Sequence, residues 1–399
     1  MKIGVDIRVL MDKNYSGISE YTANLLSEIK RQNDAKREQS NSEANPDLAP
    51  NEYKLFYNSY HNLEDRLGKW RSDNFSLVST HWPNKIFNYF LEKILAYPKL
   101  DKVLNGVNLF WSPHFNFSSF SKNKSLKKII TVHDLSFLRY PEFFSRRKNF
   151  WHKALNVKKI LKESDRIIAV SNNTKNDLVE VLNINPDKIK VIYSGNNLIK
   201  REISLAEKEE LLNRFKLSGR LILYLGNVEP RKNVKGLIES YNNLRAKNPE
   251  FKDLKLVLAG AKAWKNKEIF KSYNNSEFKD DIYFLGYISK SDKEILYSIS
   301  SVFVYPSYYE GFGFPVLEAM VYGLPVICSN ISSLPEIVAD AAMTINPYNN
   351  SEIETSLKLV LSDEKLRSLY IARGHEREKL FSWKKTASEY IEEFKKLCQ

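Results

Sequence analysis

Residues 305–336 read YPSYYEGFGFPVLEAMVYGLPVICSNISSLPE, and the order of parts in that stretch decides the fold. The run just before and into it, 301–306 (SVFVYP), is apolar and β-rich, which predicts a buried strand. Gly311 and Gly313 follow, residues that let a backbone turn sharply and approach a ligand without a Cβ in the way. Pro315 suits the first turn of a helix and Gly323 its stop, so a helix is predicted over 315–322. Strand, glycine loop and helix start together make an anion site, with the backbone N–H groups over Phe314, Pro315, Val316 and Leu317 facing a phosphate. Glu310 and Glu318 flank the turn with seven residues between them, placed to accept hydrogen bonds from hydroxyls. For either glutamate alone, an ordinary strand-to-helix corner with a helix-favoured Glu318 is the competing reading.

Outward from this stretch the chain alternates strand and helix patterns. Towards the N-terminus of the same half, strands are predicted at 221–225, 254–259 and 282–285, and beyond it at 325–328 and 342–345. Helices are predicted at 234–247 and 290–298. The first half repeats the alternation, with strands at 2–9, 53–57, 75–79, 108–112, 128–133, 166–171 and 190–193, and a helix over 18–31. The polar segment 32–52 reads as a loop, and the aromatic-rich stretch 82–99 as an amphipathic helix. Two β/α series of similar size predict an α/β protein of two doubly wound, Rossmann-like parallel-sheet domains facing a cleft. The expected divisions are 1–195, 196–380, and a terminal segment 381–399.

In such sheets ligands bind at the carboxyl ends of strands, and four further motifs fall there. Residues 13–21 (KNYSGISEY) place Gly17 at a helix start, with Ser16 or Ser19 as cap, so that its amide can touch a phosphate. The loop lacks the GxGxxG pattern of a dinucleotide site. Residues 130–137 (ITVHDLSF) end a strand in His133, which can donate to a hydroxyl or act as a base, or else sit satisfied beside a capping Asp134. Residues 223–233 (LYLGNVEPRKN) bring Arg231 and Lys232 to a strand end, a planar fork and a point charge suited to a diphosphate. The loop 284–289 (FLGYIS) can offer backbone groups to a nucleobase.

Bulk properties bound the partners. The formal charge of +13 and pI near 9.3 call for a polyanion: a nucleoside diphosphate, an anionic membrane or a nucleic acid. The segment 145–162 (SRRKNFWHKALNVKKILK) is basic throughout and holds Phe150 and Trp151. It is either a lipid-facing helix or a solvated one with its apolar side inward. Two cysteines give no disulfide framework, and no D-x-D signature or zinc spacing occurs, so no metal and no cofactor are expected. Arg231, Lys232 and helix dipoles are then left to neutralise a diphosphate. No apolar run approaches bilayer length, and charges at Asp6 and Arg8 interrupt the first one, so a cytoplasmic protein is expected.

Taken in order, SGISEYTANLL, TVHDLSF, LGNVEPRKN and the 305–336 stretch resemble the GT-B-fold retaining glycosyltransferases of family 4, in their bacterial mannosyltransferase-like branch. The resemblance runs from the first strand to about residue 345, and the terminal SWKKTASEYIEEF is similar as well. It implies a nucleotide-sugar donor, with mannose from GDP-mannose first and UDP-glucose or another nucleotide sugar as the alternative, and a glycan or lipid-linked acceptor. It implies that Arg231 and Lys232 hold the diphosphate, Glu318 the ribose, and Glu310 the transferred sugar near the reacting centre. Gly17 and the amides over Phe314–Leu317 would complete the cradle, and His133 would touch an outer sugar hydroxyl. It further implies a last helix packed on the N-terminal domain. Retention without a nucleophile pair suggests front-side attack, with a short covalent intermediate on Glu310 left open. One departure is the single Gly17 where many relatives carry two glycines. An epimerase or phosphorylase would need a carboxylate set or a pyridoxal-phosphate lysine that is not recognisable here. A membrane-binding or nucleic-acid-binding protein would leave the glutamate pair unexplained, and nucleic acid is not expected as a partner.

Overall fold

Strands buried on both faces are predominantly apolar, and the runs RIIA, LKLVLA, VFVY and VICS follow that pattern, with Arg166, Lys255 and Ser329 as the polar exceptions. The computed structural model describes residues 1–11, 17–42, 50–82, 97–122 and 125–399, and places these runs in two all-parallel sheets. The first sheet contains β1 (Lys2–Asp6), β2 (Glu52–Tyr57), β3 (Phe75–Ser79), β4 (Leu109–Ser112), β5 (Lys127–Val132), β6 (Arg166–Ala169) and β7 (Ile189–Val191). Its order is β3-β2-β1-β4-β5-β6-β7. The second contains β8 (Arg220–Leu225), β9 (Leu254–Ala259), β10 (Ile282–Gly286), β11 (Val302–Tyr305), β12 (Val326–Ser329) and β13 (Met343–Ile345). Its order is β10-β9-β8-β11-β12-β13.

Both orders reverse direction once, between β1 and β4 and between β8 and β11. At such a switch point neighbouring crossovers leave on opposite faces, so the loops after these strands diverge and leave room for a ligand. Chain contacts divide the protein into two units. Met1–Leu135, Arg147–Gly195 and Ser382–Gln399 form the first, and Ser136–Arg146 with Asn196–Phe381 the second. The segment Ser136–Arg146 thus joins the second unit, although its place in the sequence puts it inside the 1–195 division.

The expected loop over 32–52 is corrected in its first part, because the first helix runs Gly17–Ser42. Helix-favouring Lys36, Arg37, Glu38 and Gln39 carry it on, and Asn33, buried, both donates to the Asn51 carbonyl (3.0 Å) and accepts from the Asn51 amide (2.8 Å). Residues 43–49, and 83–96 of the stretch read as an amphipathic helix, lie outside the described residues. The first strand ends at Asp6 rather than at residue 9, and Arg8–Met11 turns as a 3-10 helix.

The terminal helix Trp383–Cys398 belongs to the first unit and is tied to it by a buried hydroxyl chain. Trp111 Nε1 donates to Thr131 Oγ1 (3.0 Å), Thr131 Oγ1 lies 2.6 Å from the Tyr390 hydroxyl, and Tyr390 lies 2.7 Å from the Tyr21 hydroxyl. An ion pair between Arg166 and Glu393 (3.1 Å) adds to it.

In the second unit the loop after β8 is fixed to the loop after β9. The Gly226 amide donates to the Ala259 carbonyl and the Val228 amide to that of Ala261, both at 2.9 Å. A Cβ on Gly260, which sits at φ +144°, would lie 2.0 Å from the Gly226 carbonyl oxygen, so only glycine permits this approach.

Candidate functional site

The switch point of the second sheet brings together the loops that follow β8 and β11. After β8 the chain turns through a 3-10 segment, Pro230–Lys232, which ends at Asn233 in the left-handed region. Asn233 then caps the helix Val234–Lys247 by accepting from the Gly236 amide (3.2 Å), while its Nδ2 donates to the Pro347 carbonyl (2.7 Å). This pins Arg231 and Lys232 at the carboxyl edge of the sheet. After β11 the Tyr308 amide donates to the Arg231 carbonyl (2.9 Å), joining the two loops by their backbones. Ser333 Oγ donates to the carbonyls of Glu310 (3.0 Å) and Phe312 (2.8 Å), and the Glu310 amide donates to Ser332 Oγ (3.0 Å).

The side chains then meet. Lys232 Nζ donates to Glu310 Oε1 at 2.5 Å and to the Tyr305 hydroxyl at 2.7 Å. Both the lysine and the glutamate side chains are only 9% exposed. Arg231 Nη1 donates to the Tyr309 carbonyl (2.6 Å) and to Glu310 Oε2 (3.3 Å). Its Nε and Nη2 go to Glu229 Oε1, at 3.2 and 2.9 Å. Burial alone would raise the Glu310 carboxyl, but the charges of Lys232 and Arg231 and the lysine hydrogen bond outweigh it and hold the group at about 2. Burial and the neighbouring Arg231 push the Lys232 ammonium down, against the pull of Glu310 and Glu229. Two cations and two carboxylates therefore share one buried cluster, and Glu229 is the member that spacing alone did not single out. Its signal in the sequence was only its place beside Pro230.

Glu318 lies one turn into the helix Phe314–Val321 and is 2% exposed. Its Oε1 accepts from Lys293 Nζ (2.9 Å) and its Oε2 from the Tyr297 hydroxyl (3.0 Å). Both partners come from the helix Lys290–Ile299, so each oxygen is already engaged and keeps a lone pair for a further donor. The two glutamates are thus held in separate polar clusters. Lys293 was not readable as a partner, because the pair is 25 residues apart and set by tertiary packing.

The helix start is narrower than its sequence implied. Gly313, at φ +114°, is its N-cap, and a Cβ there would lie 2.7 Å from Leu334 Cδ2. Of the four expected donors, Pro315 has no N–H, and the Val316 amide donates to the Gly313 carbonyl (3.2 Å). In the loop after β10, Ser289 accepts from the Asp292 amide (3.0 Å) as a helix cap, and Tyr287 is exposed.

In the first unit Gly17 begins the long helix, with open space where a Cβ would stand. Ser16 lies outside the described residues, and Ser19 stands two residues inside the helix that begins at Gly17, with its hydroxyl donating to the Val9 carbonyl (3.0 Å). His133 follows β5 directly. Its Nε2 lies 2.8 Å from the Pro113 carbonyl, and a carbonyl only accepts, so Nε2 carries the proton and Nδ1 is the acceptor. Burial pushes its imidazole down to about 4, although that hydrogen bond opposes the shift. The ring is therefore neutral at pH 7. Of the two expected roles, donor to a hydroxyl or base, it leaves Nδ1 the second, with a lone pair to offer. Asp6, the last residue of β1, and Arg8 just after it form a second buried pair (2.6 Å) at this switch point.

Among the described residues, no group of three or more His, Cys, Asp or Glu is placed to hold a metal ion, and no helix is long and apolar enough to cross a membrane.

Residues 206–377 match the family model described as "Glycosyl transferases group 1", and residues 52–198 match that described as "Glycosyltransferase Family 4". The O-antigen chain mannosyltransferase B of Escherichia coli is 32% identical over 305 residues, covering 74% of this chain and 75% of that protein. The serotype-specific mannosyltransferase WbdA of Escherichia coli is 30% identical over 294 residues, which is 72% of this chain but 36% of WbdA. Sucrose-phosphate synthase from Thermosynechococcus elongatus superposes with a TM-score of 0.70 at 18% identity, covering 99% of this chain and 98% of that one, a likeness of fold.

Two outcomes follow from the buried groups. The folded value of His133, about 4, lies below its ordinary 6.5, so the unfolded chain takes up the proton first as pH falls. Its contribution to stability is complete above 6.5 and declines progressively down to 4. Thermal unfolding at pH 7.5 and 5 should show wild type losing about 2 kcal/mol more than His133→Asn, and equal losses would refute the assignment. Lys293→Met leaves the Glu318 carboxylate buried without its cation and should cost about 3 kcal/mol in urea unfolding. A cost under about 1 kcal/mol would show that the pair does not hold the helix.

Proposed function

The chain belongs to the group 1, family 4 glycosyltransferases, and we propose that it moves mannose from GDP-mannose to a glycan or lipid-linked acceptor with retention of anomeric configuration. The observation that carries this reading is the meeting of Arg231, Lys232 and Glu310 at the switch point of the second sheet. The choice of mannose is supported by the two mannosyltransferases to which the chain is 32% and 30% identical.

In this reading Arg231 and Lys232 receive the diphosphate, joined by the start of the helix Phe314–Val321. Preorganised cations and amides stabilise the negative charge that develops on a departing phosphate oxygen, without reorganising during the reaction. That oxygen then takes the proton from the attacking acceptor hydroxyl on the same face. Glu310, kept ionised by its two cations, stands beside the developing positive charge at the sugar. Glu318 accepts the ribose hydroxyls with the lone pairs that Lys293 and Tyr297 leave over. In the first unit His133 offers Nδ1 as an acceptor for a hydroxyl, and Gly17 offers an amide at a helix start. No resident metal is required for these steps.

We also infer an anionic membrane surface as a partner. The helix Arg146–Ala154 buries none of its residues, and Phe150 and Trp151 are 69% and 41% exposed among Arg147, Lys148 and Lys153. Exposed aromatics between cations suit the headgroup region of anionic lipid.

Incubation with a panel of nucleotide sugars should release GDP from GDP-mannose, in EDTA as without it. Arg231→Ala or Lys232→Ala should cut turnover on the order of a hundredfold. Absence of nucleotide binding by calorimetry at low salt would overturn the transferase mechanism, and preferred release of UDP would move the donor to a uridine sugar. Neutralising Arg146, Arg147 and Lys148 together should reduce binding to phosphatidylglycerol vesicles, and unchanged binding would remove the membrane from the account.

A further inference from the structure

We propose that Glu229 is a positioning residue that sets how tightly the diphosphate is held, by keeping Arg231 in place and offsetting its charge so that the nucleoside diphosphate can leave after transfer. The inference rests on the reading of Arg231 and Lys232 as diphosphate ligands.

Glu229 precedes the 3-10 turn Pro230–Lys232 in extended conformation, where a side chain often caps the turn, yet it makes no capping hydrogen bond. Its work is done on Arg231. Oε1 accepts from both Nε and Nη2 of the guanidinium, and Oε2 is buried without a hydrogen-bond partner. The residue as a whole is 2% exposed. A buried carboxylate oxygen left unpaired is unfavourable, and native proteins keep few of them. Holding the arginine does not account for it. A glutamine carbonyl would accept the same two N–H groups and bring no charge inside. What remains to be explained is therefore the negative charge itself.

That charge cannot meet a ligand directly, because the outer oxygen has no accessible surface. It acts through its neighbours. With Glu229 and Glu310 the cluster carries two carboxylates against the two cations Arg231 and Lys232. A diphosphate arriving there meets cations whose attraction is largely balanced. Without Glu229 the same pocket would carry a net positive charge in a water-poor setting, and the diphosphate product would be retained. A transferase must release that product once per turnover, and in many enzymes release limits the rate.

The test is Glu229→Gln, read by calorimetric titration with GDP and, as a probe without phosphates, guanosine. GDP should bind on the order of tenfold more tightly than to wild type, with guanosine unchanged and product inhibition by GDP correspondingly stronger. A residue that only braces the loop predicts the opposite sign, weaker GDP binding. Unchanged or weaker GDP binding by the variant, while Arg231→Ala weakens it, would overturn the role of Glu229. Unchanged GDP binding by Arg231→Ala would instead overturn the diphosphate reading, and this inference with it. If Glu229→Gln does not fold, Glu229→Met removes the charge at similar volume and is read by the same titration.

Discussion

The Lys232–Glu310 ion pair is the constraint around which the second unit is arranged. Both side chains are 9% exposed, and charges that deep are tolerated only when each is paired and further hydrogen-bonded. The requirement reaches far along the chain. Lys232 comes from the loop after β8 and Glu310 from the loop after β11, so the two strands must be neighbours and their loops must close on each other. The backbone contact from Tyr308 to Arg231 and the serine braces at 332 and 333 hold the closure. Gly260 allows the β9 loop to pack against the β8 loop from the other side. Loss of any of these would leave a buried charge unsatisfied, which costs more than the pair itself contributes.

A consequence is that the cations are not waiting in an open cradle. Each already has a carboxylate, and so does the outer helix, where Glu318 is held by Lys293 and Tyr297. On the proposed reading a diphosphate enters by exchange rather than by filling a vacant charge. Exchange suits catalysis, because the donors are already oriented and little reorganisation is left for the reacting complex. It also bounds affinity from above, which a transferase needs if its product is to leave.

Much of the fold was legible in the sequence, for a physical reason. Strands buried on both faces in parallel sheets are predominantly apolar runs, as VFVY and VICS are, whereas EYKLFY and FSLVS towards one edge of the first sheet carry polar residues and were marked by their β-rich composition. The boundaries moved where a polar residue sits inside a strand end, as at Asp6, whose carboxylate faces Arg8 instead of solvent. The segment 32–42 was misread as loop because a long exposed helix face is polar like a loop, and the anchoring of Asn33 on Asn51 is invisible to local pattern. Of the site, the positions were readable and the partners were not. Glycine turns and strand ends place Arg231, Lys232, Glu310 and Glu318 from local pattern alone. Which residue neutralises which is fixed by packing over separations such as 78 residues for Lys232 and Glu310.

The two sheets share one strand order, yet their switch points carry different chemistry, and that contrast limits what each can do. The second sheet presents paired cations and acids after β8 and β11. The first presents at the end of β1 a buried Asp6–Arg8 pair, and after β5 a neutral His133 whose Nε2 proton is committed to Pro113. A neutral acceptor beside an internally balanced pair has little attraction for phosphate but accepts well from a hydroxyl. The first switch point therefore offers a neutral acceptor and a closed ion pair, and the second a cluster of paired charges. The same topology carries both because only the residues at the strand ends, and not the strands, decide what charge a switch point holds.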